Sequence, residues 1–379
     1  MRVAIIHYWL VGMRGGERVL EALSRLFPTA DIYTHVVDRD RISSTLARHE
    51  IRTTFIARLP RAARLYKSYL PLMPMALEEL DLTGYDLVIS SEAGPAKGVI
   101  APPGVPHLCY CHSPMRYLWD HYHAYRGEAG PLARLAAPML THRLRQWDVI
   151  SAARVDRFLA NSSHVASRIE KYWRRDATVV HPPVAVNEFA PVPAREIGDH
   201  YLCAGELVPY KRVDLAVEAF NRLGRKLVVI GGPDTAVRAL KKTARDNITF
   251  LGRVPFETLK HYMARCRALI FPGEEDFGIV PVEVMASGRP VIAYGRGGAV
   301  ETVEDGVSGF LFGDQTVESL IAAVERLEGA DGRCFDPAAL VAHARKFDEA
   351  EFRRGFLKAL AATTVAPRLG LAPALQALP

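Results

Sequence analysis

Cysteine is scarce in this chain. Five occur in 379 residues, Cys109, Cys111, Cys203, Cys266 and Cys334, an odd and scattered set. That excludes a disulfide framework, and with no paired Cys-x-x-C there is no signature of structural zinc. Cys109-x-Cys111-His112 has the wrong spacing for a zinc ribbon, and nothing near it completes four ligands, so it reads as two small buried residues at a strand end. Long apolar runs are missing too. Val99–Val105 and Leu227–Gly231 fall far below the ~20 residues that a membrane span needs. Val3–Ile6 is followed at once by His7 with no small-residue cleavage site, so no secretory signal is expected. Low-complexity segments, short internal repeats and helix-turn-helix, zinc-finger or RNP signatures are absent, which argues against a nucleic-acid partner. The expectation is a cytoplasmic protein, soluble or bound to a surface.

What is present is ordinary globular material, 49% hydrophobic and 24% charged residues, in a length that suggests two domains. The net charge of +6 is uneven. Residues 1–190 carry 24 Lys/Arg against 18 Asp/Glu, and residues 191–379 carry 24 of each. The basic surplus belongs to the first half, which is expected to face something acidic: nucleic acid, an anionic membrane or a phosphorylated substrate.

Apolar periodicity gives a strand at Val3–Ile6, a loop, and a helix at Glu17–Leu26. Strands follow at Asp86–Ser90, Val105–Tyr110, Arg157–Ala160 and Ala177–Val180, with helices at Arg143–Ala153 and His164–Tyr172. A proline-rich stretch, about 181–198, stops regular structure and separates the halves. Beyond it strands at Tyr201–Ala204, Lys226–Ile230, Ile248–Phe250, Ala268–Phe271, Pro290–Ala293 and Gly309–Phe312 alternate with helices at Val213–Leu223, Thr235–Ala244, Phe256–Arg265, Pro281–Ser287 and Thr316–Leu327. Such alternation predicts two doubly wound parallel α/β sheets, Rossmann-like, facing a central cleft, with ligands beyond the carboxyl ends of the strands. The expected domains are 1–185, 186–350, and a helix within 351–379 returning to the first domain, with a loosely ordered tail from Ala366.

Five groups of residues are candidates for chemistry. Gly15-Gly16, after strand one, opens a helix whose amides suit an anion, or is simply a tight turn. His112 sits at a strand's ligand-facing edge, where histidine is either structural or functional. Lys211 and Arg212 stand at a helix start, an unfavourable place for cations unless they meet an anion such as phosphate. The loop Gly273 to Gly278 carries Glu275 and runs through Phe277, Gly278 and Ile279 into a helix bearing Glu283. Both carboxylates can face a ligand and accept hydrogen bonds from hydroxyls, or be one surface and one capping glutamate. Finally, Arg58, Arg61 and Arg64 fall at one-face helical spacing with Lys67 nearby, amid Phe55, Leu59, Leu65, Tyr66 and Leu70, with no acidic residue between Ile51 and Leu77. That segment is read either as a basic amphipathic helix for anionic lipid or as a solvated basic helix.

These motifs resemble the retaining glycosyltransferases of family 4, with the two-Rossmann GT-B fold. The most specific piece is Glu275-x-Phe277-Gly278 with Glu283, followed by Met285 to Ala293. Gly15-Gly16, His112, Asn161-Ser162-Ser163, His181-Pro182-Pro183-Val184, Gly205 to Lys211 and Gly252-Arg253-Val254-Pro255 support it over residues 1–360. The opening and His112 to Tyr117 are similar to bacterial mannosyltransferases of O-antigen and exopolysaccharide assembly. The resemblance implies a nucleotide-sugar donor (GDP-mannose), a lipid-linked or glycan acceptor, and a peripheral place on the inner face of the plasma membrane. It implies that Glu283 binds ribose hydroxyls, that Glu275 and the Phe277–Ile279 backbone hold the sugar, and that Lys211 neutralises the diphosphate. Arg253 and Val254 would contact the base, His112 the reacting sugar, and Gly15-Gly16 would lie under the phosphates or acceptor. Where the family commonly has an arginine this chain has Glu206, which leaves Lys211, with Arg212, carrying more of the phosphate charge. No Asp-x-Asp stands in a suitable loop, and fixed cations and helix amides can stabilise the leaving diphosphate, so neither metal nor cofactor is expected. Two alternatives stay open: a UDP-sugar-dependent transferase of the same fold with another acceptor, and a non-catalytic nucleotide-sugar or glycan binder.

Overall fold

The structure, a computed structural model, describes residues 1–128, 130–329 and 335–362. Cys334 and the tail from Ala366 lie outside the described residues. The chain divides into two compact units, Met1–Pro183 with the segment from Phe352 onward, and Val184–Glu351.

The first unit holds a parallel sheet of β1 (Val3–His7), β2 (Asp31–Thr34), β3 (Ile51–Thr53), β4 (Leu87–Glu92), β5 (His107–Cys111), β6 (Arg157–Ala160) and β7 (Ala177–Val179). Their order is β3-β2-β1-β4-β5-β6-β7. β1, β4 and β5 are buried at every position, as strands covered on both faces require. Side chains alternate between the faces: Val3 and Ile5 join one core cluster with Phe352 and Phe356, while Ala4 and Ile6 join another with Val88 and Leu77. The helix Glu349–Ala361 thus packs into the first unit's core. The strands β2 and β3 escaped the sequence reading, because they are short and β3, at the sheet's edge, is half-exposed or exposed throughout.

The second unit holds β8 (Tyr201–Ala204), β9 (Leu227–Ile230), β10 (Ile248–Gly252), β11 (Leu269–Phe271), β12 (Val291–Tyr294) and β13 (Gly309–Phe312). All pairings are parallel, in the order β10-β9-β8-β11-β12-β13. Each sheet therefore reverses its winding once, between β1 and β4 and between β8 and β11. At such a point the loops leave in opposite directions and open a crevice beyond the strands' carboxyl ends.

The basic segment differs from expectation. Arg58 ends a short 3-10 turn, Phe55–Arg58. Pro60 follows, and Arg61 takes a left-handed conformation with φ 50°. Arg64 lies in the single turn Ala62–Leu65, and Lys67 in the 3-10 stretch Tyr66–Leu72. There is no continuous helix and hence no one-face alignment of the arginines, because a proline forces extended geometry on its predecessor. All four cations are exposed, but Phe55, Leu59, Tyr66 and Leu70 pack around Ile56 and Met73 in a small core. Among the described residues no helix is long and apolar enough to cross a membrane.

His35 shows how polar groups are buried here. Its Nδ1 lies 3.0 Å from Thr54 Oγ1 and its Nε2 3.2 Å from the Pro95 carbonyl. That carbonyl can only accept, so the ring is neutral with its proton on Nε2. Burial lowers its pKa from 6.5 to about 4. The unfolded chain therefore binds a proton before the folded one does. The stability this ring contributes above pH 6.5 is lost as pH falls toward 4, at about 1.4 kcal/mol per pH unit. Urea unfolding at pH 7, 6 and 5 is expected to fall less steeply in His35→Asn than in the parent, by about one proton; equal slopes would contradict this reading.

Candidate functional site

The second unit's crevice between β8 and β11 is lined by Cys203, Gly205, Glu206, Lys211, Phe271 and Glu275. After β8 the chain passes through the 3-10 turn Pro209–Lys211, and Arg212 (φ 50°) turns it into the helix Val213–Leu223. This brings the Lys211 backbone against Gly273, where a Cβ would meet Lys211 Cα at 2.5 Å. Only glycine permits that approach. The close approach sets Lys211 beside the loop after β11, and its Nζ lies 2.8 Å from Glu275 Oε1. Both side chains are mostly buried, 16% and 18% exposed, a setting where charge–charge interactions are weakly screened. Burial alone would depress the Lys211 ammonium; the adjacent Glu275 carboxylate outweighs it and holds the pKa above its ordinary value. Burial pushes the neighbouring Cys203 thiol up to about 12, so at neutral pH the thiol is protonated and unreactive.

The Glu275 loop is pinned from behind. Gly298 N donates to the Glu275 carbonyl at 2.8 Å, and Gly297 and Gly298 touch the loop backbone so closely that a Cβ on either would collide with it. Gly278, with φ 88°, starts the helix Ile279–Ala286, two residues earlier than the sequence suggested. Pro281 is thus the third helical residue, still within the turn whose N–H groups need no carbonyl partner. Phe277 is buried, its ring 5.6 Å from Phe347, so that side chain is core and its backbone is what the loop presents. Glu283 is half-buried on this helix.

Two cations find protein partners. Arg212 Nε donates to both Asp214 oxygens at 3.2 and 3.1 Å and its Nη1 to Gln315 Oε1 at 3.2 Å. Arg253 Nη2 donates to both Glu206 oxygens at 3.0 Å. The sequence reading treated Glu206 as a lost cation; the structure shows its carboxylate holding Arg253 at the crevice rim. Val254 packs against the core of this unit. A larger cavity, about 370 Å³, opens at the opposite end of the sheet, beside the strands' amino ends and Arg289, whose guanidinium donates to the carbonyls of Cys266 and Arg267.

In the first unit, the corresponding switch point lies between β1 and β4. Ser91 Oγ sits 3.0 Å from His7 Nδ1 and 2.8 Å from His112 Nε2. His112 N donates to the Glu92 carbonyl at 2.8 Å and Asn161 Nδ2 to the His112 carbonyl at 2.9 Å, so the residue is fixed at backbone and side chain. Gly15 and Gly16 form the first turn of the helix Gly15–Leu26. A Cβ on Gly16 would run into the Tyr8 hydroxyl and stand 3.7 Å from His112 Nε2, so glycine lets the helix end lie against Tyr8, with His112 beside it. Beneath lies a fully buried ionic cluster: Lys97 Nζ bonds to Asp148 and, at 3.3 Å, to Glu92, and Trp119 and Trp173 donate to Asp148. Next to it a cavity of about 310 Å³ is lined by Trp9, Lys67, Leu70, Ala93, Tyr117 and Tyr125. His7, Ser91, Gly297, Gly298 and Gln315 were not singled out from sequence. The one signal that could have found Ser91 is its place just past the strand expected at Asp86–Ser90, within the observed β4.

Residues 13–188 match the family model described as Glycosyltransferase Family 4, and residues 188–339 the model described as Glycosyl transferases group 1. A GDP-mannose-dependent alpha-(1-6)-phosphatidylinositol monomannoside mannosyltransferase of Mycolicibacterium smegmatis is 30% identical over 52% of this chain and 62% of its own length. A D-inositol 3-phosphate glycosyltransferase of Streptomyces avermitilis is 30% identical over 44% of this chain and 42% of its own. The chain thus spans about half the length of the curated relatives it matches. Among solved structures, Anabaena HepE in complex with UDP and glucose superposes with a TM-score of 0.69 at 17% identity, over 95% of this chain and 99% of that one. With two parallel-sheet units, that likeness places the fold in the GT-B class.

The Lys211–Glu275 contact is expected to be a coupled pair. In a double-mutant cycle of Lys211→Met and Glu275→Gln, each single change strands a largely buried partner, and the coupling energy should be about 1–3 kcal/mol by urea unfolding. Additive effects would contradict it.

Proposed function

The chain joins a Glycosyltransferase Family 4 domain to a Glycosyl transferases group 1 domain, and from that premise we propose that it moves a hexose, with retained configuration, from a nucleoside diphosphate to a lipid-linked glycan acceptor. We take the donor to be GDP-mannose and the setting to be surface polysaccharide assembly at the inner face of the plasma membrane. The observation that carries the reading is the Lys211–Glu275 pair across the second unit's switch point. As the sugar–phosphate bond breaks, negative charge grows on the leaving diphosphate. Lys211 is a fixed cation, and the amides at the start of the helix Ile279–Ala286 add an oriented dipole. Glu275 holds the ammonium in place before the donor arrives and accepts sugar hydroxyls afterwards. Glu283 takes the ribose hydroxyls.

The carboxylates do not serve as a hydrolytic dyad in this scheme. The leaving phosphate oxygen accepts the acceptor's proton on the face it leaves. With Lys211 and the helix amides meeting the charge, no step calls for a metal. His112, held beside Gly16, contacts the sugar, and the aromatic cavity at Trp9, Tyr117 and Tyr125 takes the acceptor, with Arg58, Arg61, Arg64 and Lys67 facing anionic lipid nearby. The mannosyltransferase relative, whose acceptor by its name is a lipid, supports this choice. The inositol 3-phosphate relative supports a second reading, a soluble phosphorylated acceptor.

A screen of GDP-mannose, UDP-glucose and related donors with product anomer determination tests the proposal. Transfer from GDP-mannose with retention, unchanged in EDTA and reduced about 100-fold or more by Lys211→Ala, is expected. Turnover of no donor, or inversion, would overturn it. Flotation with anionic vesicles should be lost when Arg58, Arg61 and Arg64 are all changed to Glu; unchanged flotation would remove the membrane face.

A further inference from the structure

We propose that Ser91 is a positioning residue: by bridging His7 and His112 it holds the neutral His112 ring in the form that carries its proton on Nδ1, so that His112 meets the transferred sugar as a hydrogen-bond donor. The inference rests on the functional reading above and adds a residue, a direction of hydrogen bonding and a reason for both.

The direction follows from what is buried. His7 and Ser91 are fully enclosed, and among the described residues His7 Nε2 has no hydrogen-bond partner. A neutral His7 carries one proton. On Nε2 it would be a buried N–H with nothing to receive it, which folded proteins almost never tolerate. On Nδ1 it is donated to Ser91 Oγ over 3.0 Å, and only a lone pair goes unmet. Ser91 Oγ then has its own proton to give, and the acceptor in reach is His112 Nε2 at 2.8 Å. An Nε2 that accepts has no proton, so the neutral ring's proton is on Nδ1. Burial holds His7 far below the ordinary histidine range, with the nearby His112 pushing the same way, which keeps His7 neutral.

The consequence is chemical. Positive charge builds on a sugar carbon as it loses a diphosphate. A neutral N–H donor can hold a sugar oxygen there without opposing that charge, whereas an imidazolium would repel it. The surrounding contacts support a fixed ring. Tyr110 stands edge-on at 5.2 Å, and the buried Lys97–Glu92–Asp148 cluster anchors the strand end that carries Ser91.

The test is long-range proton–nitrogen correlation of histidine-labelled protein, with His112→Asn to assign the His112 signals. The Nδ1–H pattern is expected for His112, lost in Ser91→Ala and restored in Ser91→Thr, which keeps the hydroxyl. With the best donor from the screen, Ser91→Ala should lower kcat about 10–100-fold, with the donor KM within about twofold of the parent. An Nε2–H pattern in the parent, or a Ser91→Ala protein with an unchanged ring pattern or kcat, would overturn the relay. If the parent turns over no nucleoside-diphosphate sugar, the functional reading fails while the nitrogen pattern still decides the relay.

Discussion

One ion pair organises the second unit's functional end. Lys211 comes from the turn after β8 and Glu275 from the loop after β11, and these are the two strands between which the sheet reverses its winding. A lysine amine largely removed from water needs a counter-charge. The carboxylate supplies it, and the pair ties together two loops that topology sends in opposite directions. Other features follow from this contact. Gly273 is glycine because the Lys211 backbone rests on it. Gly297 and Gly298 crowd the back of the Glu275 loop so that it cannot recede from its partner. The thiol of Cys203 lies inert at the crevice floor.

The first unit has hydrogen-bonding side chains at its own switch point. Its switch point is lined by His7, Tyr8, Ser91 and His112, and its one dense charge cluster, at Lys97, is closed off beneath the surface. The division makes sense for a transfer between two partners. In the proposed reaction Lys211 of the second unit serves the diphosphate, and the first unit offers hydrogen-bonding groups and an aromatic cavity. The basic surplus of residues 1–190 is carried in part by the exposed Arg58, Arg61, Arg64 and Lys67, on a surface that is irregular rather than helical.

Much of the fold was legible because central parallel strands are buried on both faces and so read as unbroken apolar runs. β6, β8 and β13 fell on the expected residues, and β1 and β9 came within one residue. What was misread has physical causes. β2 and β3 are short, and the outer one offers exposed Arg52 and Thr53 in place of an apolar run. The spacing of Arg58, Arg61 and Arg64 fits a helix, but Pro60 prevents one. Of the site, Lys211, Glu275 and the Gly278 turn could be named from motif position. The pairing of Arg253 with Glu206 could not, since each alone looks like a surface charge. Ser91 joins two histidines from different strands, a relation that exists only after the sheet has assembled.

The central claim is that Lys211, held in place by Glu275, receives a diphosphate. The direct measurement is a crystal structure of the protein with GDP or UDP bound. The phosphates should lie in the crevice between the loops after β8 and β11, within hydrogen-bond distance of Lys211 Nζ and near the start of the helix Ile279–Ala286. A nucleotide bound elsewhere, or bound with its phosphates away from Lys211, would contradict it.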